Sequence, residues 1–390
     1  MIPYSKQTIS SSDLESVLEV LKSPLLTQGP KVPEFENYLK SVLKCKYAVA
    51  CSNGTSALHL AYASMGVDSN SVGVVPSVTF AATANAFHYL NASVELLDVD
   101  PKDGLLNINQ IHNKLRLIRE RKPKGIHVIS PVSLAGKTPN LRYIYQVAKE
   151  YDFMVVEDAS HSPGAFYVDD VGKDARSGSC RWSDASTLSF HPVKHICCGE
   201  GGAALFSSQE LAEKAERLRS HGITKNTTFS NERPWYYEQL DLGWNYRLTD
   251  IQATLGIEQI KRLKQSIAQR KQIAHAYENA FAQEPFKSAI DTPSLHAGHA
   301  WHLYVIRFRN PDLRDKAYNF LKSKGIITQV HYIPLYRHPY HSGGHEIEEF
   351  PGAEDYFSRC LSIPMFPELC PKMQEKVISI FSDFLLQNGF

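Results

Sequence analysis

The chain has 390 residues, of which 43% are hydrophobic, and its 42 basic side chains nearly balance its 41 acidic ones, for a formal net charge of +1. A chain of this length and composition can bury a large core and divide into a larger and a smaller domain. The near-neutral charge argues against nucleic acid or an anionic membrane as a partner, because no net positive field attracts either.

The cysteines and the first residues indicate the compartment. Seven cysteines, an odd number without the spacing of a small disulfide-bonded domain, favour a reducing environment. The opening MIPYSKQTISSSD has neither a basic stretch nor an apolar one after it, and no apolar run approaches membrane-spanning length. We therefore predict a cytoplasmic protein without a membrane segment.

Up to about residue 245, short apolar runs alternate with segments long enough to form helices. Their apolarity is continuous, which is typical of strands buried on both faces of a mostly parallel sheet. The last two runs are joined too closely for a helical crossover, so this pair is predicted to be antiparallel. The runs are YAVAC (47–51), VGVVP (72–76), VELLDV (94–99), IHVISPV (126–132), FMVVED (153–158), ASTLSFH (185–191) and GAALF (202–206).

The pattern changes near residue 249. Thr249 and Gln252 have the spacing of a capping box, and apolar residues follow at roughly helical intervals, so a long helix is predicted to begin there. Strands at 302–308, 327–333 and 361–365 and a helix near 313–324 are predicted after it. We predict a large domain over 1–248 and a smaller α+β domain over 249–390, with the N-terminal segment a candidate to pack on the small domain.

Polar residues follow the carboxyl ends of two early strands, where ligands of parallel sheets bind. After 47–51 comes SNGTSALHLA, in which Gly54 and Thr55 could offer backbone amides and a hydroxyl to a phosphate at a helix N-terminus. An ordinary helix cap at Ser52 or Asn53 is the alternative. After 72–76 comes Phe80, whose ring either stacks on a ligand or belongs to the core.

Two later strands end in further candidate groups. Asp158 and His161 follow 153–158, although a carboxylate there is often a helix cap and a lone histidine often structural. Ser189 and Lys194 follow the strand at 185–191. A lysine in an apolar stretch is seldom structural, because removing an ammonium from water is unfavourable unless it is paired or converted, for example to a Schiff base.

Together, these strand ends supply a phosphate cradle, a planar ring, a carboxylate and a lysine. Pyridoxal 5′-phosphate requires this set: its phosphate binds at a helix N-terminus, its ring stacks, its pyridine nitrogen pairs with an acid and its aldehyde reacts with a lysine. The sequence therefore predicts a pyridoxal-phosphate site formed by the carboxyl ends of the strands.

The motifs resemble those of the DegT/DnrJ/EryC1/StrS family of nucleotide-sugar aminotransferases, and the resemblance covers nearly the whole chain. It implies the fold type I of pyridoxal-phosphate-dependent transferases: a mostly parallel seven-stranded sheet with helices on both faces, plus a smaller C-terminal α+β domain. The motifs, in chain order, are IPYSKQTI, LLTQGPKVPEFE, SNGTSALHLA, PSVTFAATANA, VEDASHSPGA, SFHPVKHICCGEGG, LRSHGI, GWNYRLTDIQATLG and VHYIPLY.

The resemblance also implies roles for individual residues. Lys194 would form the internal aldimine with the cofactor, and Asp158 would pair with the pyridinium nitrogen. His161 would lie by the ring hydroxyl and Phe80 would stack on the ring. The phosphate would be held by Gly54, Thr55 and Ser189, and by Asn245 of a neighbouring subunit, so that a homodimer shares its active sites. Relatives with histidine in place of the lysine catalyse dehydration, and Lys194 excludes that subclass.

Within the family, the segments 134–140, 234–248 and 330–341 are most similar to the branch that acts in pseudaminic acid biosynthesis. The implied reaction moves the amino group of L-glutamate to C4 of a UDP-linked 4-keto-6-deoxy-N-acetylhexosamine. Aminotransferases for perosamine, legionaminic or 3-amino sugars are alternatives, as is a catalytically silent regulator that binds cofactor or sugar. The segment 168–185 is longer than expected for the family, which makes it a candidate to alter the substrate entrance.

A second set of residues is predicted to contact the substrate. A diphosphate and a carboxylate need cations, for which Lys137, Arg247 and His331 are candidates, although each also has a plausible structural role. Tyr4 and Tyr332 are candidates to flank the sugar, although tyrosine at a domain edge is often packing.

Other interpretations of the sequence are disfavoured. A metal-dependent hydrolase built on His338, His341 and His345 lacks an accompanying carboxylate or cysteine framework, so no metal is predicted. A dinucleotide-binding dehydrogenase would need G-x-G-x-x-G after the first strand, which is absent. The adjacent Cys197 and Cys198 are interpreted as small apolar filling rather than redox control.

Overall fold

The computed structural model describes residues 1–122, 124–168, 174–225, 227–228 and 232–390. Part of the 168–185 segment that the sequence singles out, residues 169–173, lies outside these ranges. The described strands are β1 Tyr47–Cys51, β2 Val72–Pro76, β3 Ser93–Leu97, β4 His127–Ile129, β5 Phe153–Asp158, β6 Phe166–Val168, β7 Asp174–Arg176, β8 Ala185–Ser189, β9 Gly202–Phe206, β10 Ile223–Thr224, β11 Glu238–Gln239, β12 Ile290–Asp291, β13 Tyr304–Phe308 and β14 Cys360–Ile363.

The helices are distributed along the whole chain. They are α1 Ser11–Leu21, α2 Lys31–Leu43, α3 Gly54–Met65, α4 Ala82–His88, α5 Ile108–Arg121, α6 Leu141–Glu150, α7 Gln209–Arg219, α8 Asp250–Lys261, α9 Leu263–Phe281, α10 Phe286–Ala289, α11 Asp312–Ser323, α12 Pro351–Arg359 and α13 Pro371–Gln387, with 3-10 turns at Leu134–Gly136, Leu335–Arg337 and Ile347–Glu349.

The central sheet has seven strands in the order β1-β9-β8-β5-β4-β2-β3. Adjacent strands from β8 to β3 are parallel, whereas β9 is antiparallel to both of its neighbours. The mostly parallel seven-stranded sheet and the antiparallel β8–β9 pair are therefore confirmed. Because β9 alone is reversed, the carboxyl ends of the other six strands lie at one edge of the sheet.

Both faces of the sheet are covered by helices. Alternate residues of β9 point to opposite faces, so Ala203 and Leu205 pack in one apolar cluster with α2 and α8, while Ala204 and Phe206 pack in another with α3 and α7. A third cluster joins β2, β4 and β5 to α5 and α6. This two-sided burial explains why the strands are continuously apolar in the sequence.

The edge strand β1 is protected by a half-buried ion pair between Arg219 and Glu36. Glu36 accepts the backbone N–H of Ala50 at 2.9 Å, and Arg219 donates to Glu36 at 2.7 Å and to the carbonyl of Ala50 at 2.9 Å. The side chains thereby satisfy backbone groups that an edge strand would otherwise leave open for pairing with another chain.

The C-terminal part contains a three-stranded antiparallel sheet, β12-β13-β14, and its own apolar cluster. The predicted strands at 302–308 and 361–365 and the helix near 313–324 correspond to β13, β14 and α11. The predicted strand at 327–333 is wrong: only Gln329 bridges to Ser362, and the chain then leaves the sheet. Beyond Gln329 the segment lines a cavity through His331 and Tyr332, while Ile333 is 45% exposed, so its apolar residues do not form one buried strand face.

The capping box that starts α8 is confirmed, since Thr249 accepts the backbone N–H of Gln252 at 3.2 Å and the Gln252 side chain accepts that of Thr249 at 3.1 Å. The predicted long helix is interrupted once, at Arg262, between α8 and α9. Ile2 bridges to Ile326 and packs in the C-terminal apolar cluster. The domain boundary near residue 248 stays a prediction. No helix within the described ranges is long and apolar enough to span a membrane.

Candidate active site

A cavity of about 980 Å³ lies at the edge where the carboxyl ends of the parallel strands meet. Its volume is at the upper end of that of typical cofactor and ligand pockets. Ten of the residues predicted from the sequence line it: Tyr4, Gly54, Thr55, Phe80, Asp158, His161, Ser189, Lys194, His331 and Tyr332. The residues that were selected from the strand ends therefore lie together in the structure.

The N-terminus of α3 forms one end of the cavity. Asn53 caps the helix by accepting the backbone N–H of Ser56 at 2.8 Å, so the cap that the sequence left as an alternative is present. The amides of Gly54 and Thr55 belong to the first turn, where N–H groups have no acceptor within the helix. A Cβ atom on Gly54 would lie 2.8 Å from Cβ of Ser189, so the glycine allows α3 and the end of β8 to approach. The result is a cradle of amides and hydroxyls suited to a phosphate.

Asp158 ends β5 and is 5% exposed. Thr83 donates to its Oδ2 at 2.9 Å and the backbone N–H of Ser160 donates to its Oδ1 at 3.1 Å. Both carboxylate oxygens are thus held, and the side chain lines the cavity with a fixed orientation.

Lys194 lies in the loop between β8 and β9 and lines the same cavity. Burial lowers the pKa of its ammonium to about 8, and the nearby charge of Asp158 acts in the opposite direction. About a tenth of an amine with this pKa is neutral at pH 7, a far larger share than for an ordinary lysine, and the neutral form is the nucleophile and proton acceptor.

Both ring nitrogens of His161 contact distant segments of the chain, at Ala135 and at Tyr332. Its Nδ1 accepts the backbone N–H of Ala135 at 3.3 Å, and its Nε2 is 3.1 Å from the hydroxyl of Tyr332. Burial and the charge of Lys194 lower its pKa well below the usual value, so the ring is neutral. With Nδ1 accepting, the proton lies on Nε2, which therefore donates to Tyr332.

Phe80 is 60% exposed although it lines a cavity, and its ring centroid is 5.9 Å from that of Tyr332. A core phenylalanine would be covered, so the exposed ring favours a role as a stacking surface.

The N-terminal segment and the segment 327–333 form another part of the cavity wall, through Tyr4, His331 and Tyr332. His331 Nδ1 is 2.8 Å from the hydroxyl of Ser362, and its ring centroid is 5.5 Å from that of Tyr4. Burial lowers the pKa of His331 to about 3, so this histidine is not a cation at neutral pH.

Three predicted residues do not line the cavity. Lys137 lines a separate cleft and donates to Asp103 at 2.8 Å, so its charge is already paired. Asn245 is exposed, and Arg247 is half-buried without an ion pair to another described residue.

The alternatives set aside from the sequence find no support. Within the described ranges no group of three histidine, cysteine or acidic side chains could hold a metal ion, and this includes His338, His341 and His345. Cys197 and Cys198 are 4% and 3% exposed, and burial raises the pKa of both thiols. The reactive thiolate is therefore disfavoured at both positions.

Sequence reasoning missed two features of the site. Thr83 was not selected, although a second threonine four positions after Thr79, close to a strand end, was a usable signal. An aromatic group formed by His59, Tyr89, Trp244 and Tyr246 also lines the cavity, with His59 Nδ1 3.1 Å from the hydroxyl of Tyr246. Because 187 residues separate that pair, no local pattern could reveal the contact.

The residues present fit pyridoxal phosphate. The amide cradle at α3 matches the phosphate. A Cβ atom at residue 54 would clash with Ser189, which shows that α3 and the end of β8 are closely packed at the cradle. The exposed Phe80 ring lies in the same cavity as Asp158 and Lys194.

Comparisons with known proteins agree with this arrangement. The profile of the DegT/DnrJ/EryC1/StrS aminotransferase family matches residues 7–382. The UDP-4-amino-4,6-dideoxy-N-acetyl-beta-L-altrosamine transaminase of Campylobacter jejuni is 37% identical, over 95% of this chain and 93% of its own. The spore coat polysaccharide biosynthesis protein SpsC of Bacillus subtilis is 33% identical, over 98% of this chain and 97% of its own.

Solved structures share the fold. Helicobacter pylori PseC, an aminotransferase of pseudaminic acid biosynthesis, superimposes with a TM-score of 0.87 and 26% identity, over 99% of each chain. Other structural neighbours were solved with pyridoxal phosphate or pyridoxamine phosphate bound. The chain therefore belongs to the DegT/DnrJ/EryC1/StrS aminotransferase family and is a pyridoxal-phosphate-dependent sugar aminotransferase with the type I fold.

Proposed function

We propose that the protein transfers the amino group of L-glutamate to C4 of a UDP-linked 4-keto-6-deoxy-N-acetylhexosamine. The observation that carries the proposal is the single cavity that joins Lys194, Asp158 and the amide cradle of α3. The C. jejuni relative is named after a UDP-linked sugar that has an amino group at C4 and deoxy positions at C4 and C6. This name supports the proposed substrate. PseC, with its role in pseudaminic acid biosynthesis, supports the same pathway.

Each cofactor contact has a residue suited to it. Gly54, Thr55 and Ser189 would hold the phosphate, Phe80 would offer its ring for stacking, and His161 would donate to the ring hydroxyl. Asp158, whose two oxygens are fixed by Thr83 and Ser160, would place its negative charge beside the ring nitrogen and so favour the protonated form of that nitrogen.

When bound, pyridoxal phosphate supplies an aldehyde that takes up the amino group and a ring that accepts the electron pair left when the α-proton is removed. Lys194 Nζ would carry the cofactor at rest and, once released, would move that proton. Its lowered pKa suits this task, since an amine with a pKa near the working pH can both accept and return a proton. The neutral His161 adds no second positive charge beside the amine.

Among the described residues, the substrate entrance carries little positive charge. Of the described residues that line the cavity, Lys194 is the only lysine or arginine, whereas Asp158 and Glu200 are acids. A nucleotide diphosphate needs positive charge, so the missing cations must come from outside the cavity. Tyr4, His331 and Tyr332 remain as neutral groups that flank the sugar, while the pairing of Lys137 with Asp103 argues against a role for that lysine.

A second copy of the chain can supply the missing groups. Arg247 has no ion pair within the described ranges and Asn245 is exposed two residues before it. The neighbouring hairpin exposes large apolar side chains, among them Trp235, Leu240 and Leu242, at 74%, 59% and 85%. An apolar surface of this kind is typical of a protein interface. We propose a homodimer in which Asn245 and Arg247 of each subunit complete the cavity of the other. The cytoplasmic location stays a prediction.

Product analysis tests the proposed reaction. The holoenzyme is incubated with ¹⁵N-labelled L-glutamate and the UDP-linked 4-keto-6-deoxy-N-acetylhexosamine, and the products are examined by mass spectrometry and NMR. The proposal expects ¹⁵N on C4 of the sugar and one 2-oxoglutarate for each amino sugar. Turnover only with a GDP-linked 4-keto or a dTDP-linked 3-keto sugar would assign a different substrate. No turnover with any keto sugar, in a protein that binds cofactor, would favour the silent regulator.

A further inference from the structure

The side chains of the segment 244–246 point to two opposite faces. Trp244 and Tyr246 line the active-site cavity, whereas Asn245, which lies between them, is exposed and does not line it. Side chains two residues apart share a face in an extended segment, and the rings of Trp244 and Tyr246 are stacked, with centroids 5.7 Å apart and planes at 11°. Asn245 therefore projects from the face opposite to the one that meets the cavity of its own subunit.

Backbone hydrogen bonds hold this segment from both sides. The N–H of Trp244 donates to the carbonyl of Leu218 at 2.7 Å, and the N–H of Tyr246 donates to the carbonyl of Arg219 at 3.0 Å. The carbonyl of Tyr246 accepts the N–H of Ser52 at 2.9 Å. The main chain is thereby fixed between the end of α7 and the loop that leads into α3, but these bonds do not orient the side chains.

His59, a residue of α3, contacts both rings of the segment. It is 3% exposed, its Nδ1 is 3.1 Å from the hydroxyl of Tyr246, and its ring centroid is 4.2 Å from that of Trp244. Burial lowers the pKa of His59 to about 4, so the ring is neutral near pH 7. The contact with Tyr246 is therefore a hydrogen bond between two neutral groups.

This hydrogen bond selects one arrangement of the rings. An apolar side chain at position 59 would fill the same space without needing a partner, whereas a buried imidazole that bonds to a hydroxyl fixes both groups in one orientation. Because Trp244 and Tyr246 flank Asn245 in the chain, the same contact fixes the direction in which Asn245 projects.

We propose that His59 is a positioning residue, which holds Tyr246 and Trp244 so that Asn245 reaches the cofactor phosphate of the neighbouring subunit. The inference rests on the shared active site proposed above, in which Asn245 completes the cavity of the other subunit. His59 also follows the phosphate cradle of its own subunit in the same helix. A single helix thus serves both sites: the N-terminus of α3 faces one phosphate, and His59 orients the donor for the other.

Two substitutions and their combination measure the contact in the dimer. Tyr246→Phe and His59→Phe each remove one partner of the hydrogen bond and keep an aromatic ring. Each is expected to lower the affinity for pyridoxal phosphate roughly fivefold. The double variant is expected to bind no more weakly than either single variant, because both changes remove the same contact. Tyr340→Phe, at a position that is 74% exposed, is the matched control and is expected to keep the wild-type affinity.

Mixed dimers separate positioning from a purely structural role. The two subunits are coexpressed with different affinity tags, and one carries Lys194→Ala, so the visible band of the bound cofactor reports only the site of the other subunit. Tyr246→Phe in the Lys194→Ala subunit is expected to weaken cofactor binding as in the homodimer, because that subunit provides Asn245 to the working site. The same substitution in the other subunit is expected to weaken binding far less. If His59→Phe does not fold, this comparison still decides the matter.

Asn245→Ala in the same two arrangements tests the shared site separately. No sugar or glutamate is present in these titrations, so a wrong substrate assignment does not affect them. If Asn245→Ala acts across the dimer while Tyr246→Phe acts equally from either subunit, the positioning role is overturned and the shared site stands. If Asn245→Ala acts only within its own subunit, both are overturned. Wild-type affinity in the Tyr246→Phe and His59→Phe homodimers would also overturn the positioning role.

Discussion

Thr83 donates a hydrogen bond of 2.9 Å to Asp158, and this contact joins the first turn of α4 to the end of β5. Thr83 is fully buried and its hydroxyl is also 3.0 Å from that of Thr79. The carboxylate therefore receives a donor from a neighbouring element, through a side chain that is not among those lining the cavity.

We expect Thr83→Val to weaken the hold on Asp158 without unfolding the protein, because the two side chains have nearly the same shape. The loss of one buried hydrogen bond costs about 1 kcal/mol, and a turned carboxylate binds the cofactor less tightly. Cofactor affinity and kcat are expected to fall, by roughly fivefold for a loss of about 1 kcal/mol.

Thr83→Ser keeps the hydroxyl and is the matched control for that experiment. Fluorescence titration with pyridoxal phosphate measures the affinity. If the valine and serine variants bind the cofactor equally well, the hydrogen bond does not position Asp158.

Gly54→Ala is expected to reduce cofactor affinity strongly, because the added Cβ would lie 2.8 Å from Cβ of Ser189 and would force the two walls of the phosphate cradle apart. Gly343→Ala is the control, since a Cβ at that position has no atom within 4 Å. The affinity for inorganic phosphate, measured by its competition with the cofactor, should fall in parallel with the cofactor affinity. If Gly54→Ala binds the cofactor as tightly as the wild type does, the cradle at α3 does not hold the phosphate.

The pKa of Lys194 predicts a pH dependence. Burial lowers it from 10.5 to about 8, which favours the neutral amine. The rate at which the apoprotein captures pyridoxal phosphate should therefore rise with pH and level off above about pH 8. Asp158→Asn removes a charge that favours the ammonium, so its midpoint should be lower still. Stopped-flow absorbance measures both rates, and a wild-type midpoint near 10 would contradict the assignment.

The strand-end argument located most of the cavity because the carboxyl ends of parallel strands share an edge whatever their order in the sheet. That is why Gly54, Asp158 and Lys194 could be brought together from sequence alone. The ion pair of Lys137 could not be predicted from the sequence, because its partner Asp103 lies 34 residues away on another loop. The segment 327–333 was assigned to a strand because a short run with apolar and aromatic residues, bounded by Gly325 and Pro334, is compatible with a strand and with a cavity wall alike.

The proposed sharing of active sites predicts complementation. Lys194→Ala and Asn245→Ala homodimers should each have little activity. Subunits exchanged between them should form heterodimers with one intact site, which restores about a quarter of the wild-type activity if exchange is random. The mixture is assayed after brief unfolding and refolding. A mixture no more active than its components would show that Asn245 serves its own subunit.

The most direct test of the account is the absorption spectrum of the holoenzyme between roughly 300 and 450 nm, recorded first alone, then with L-glutamate, and then with the UDP-linked 4-keto sugar. We predict a visible band that disappears with glutamate and returns with the sugar, and that is absent from Lys194→Ala under the same conditions. A band that forms in Lys194→Ala and still responds to both substrates would contradict the role assigned to Lys194, and with it the proposed mechanism.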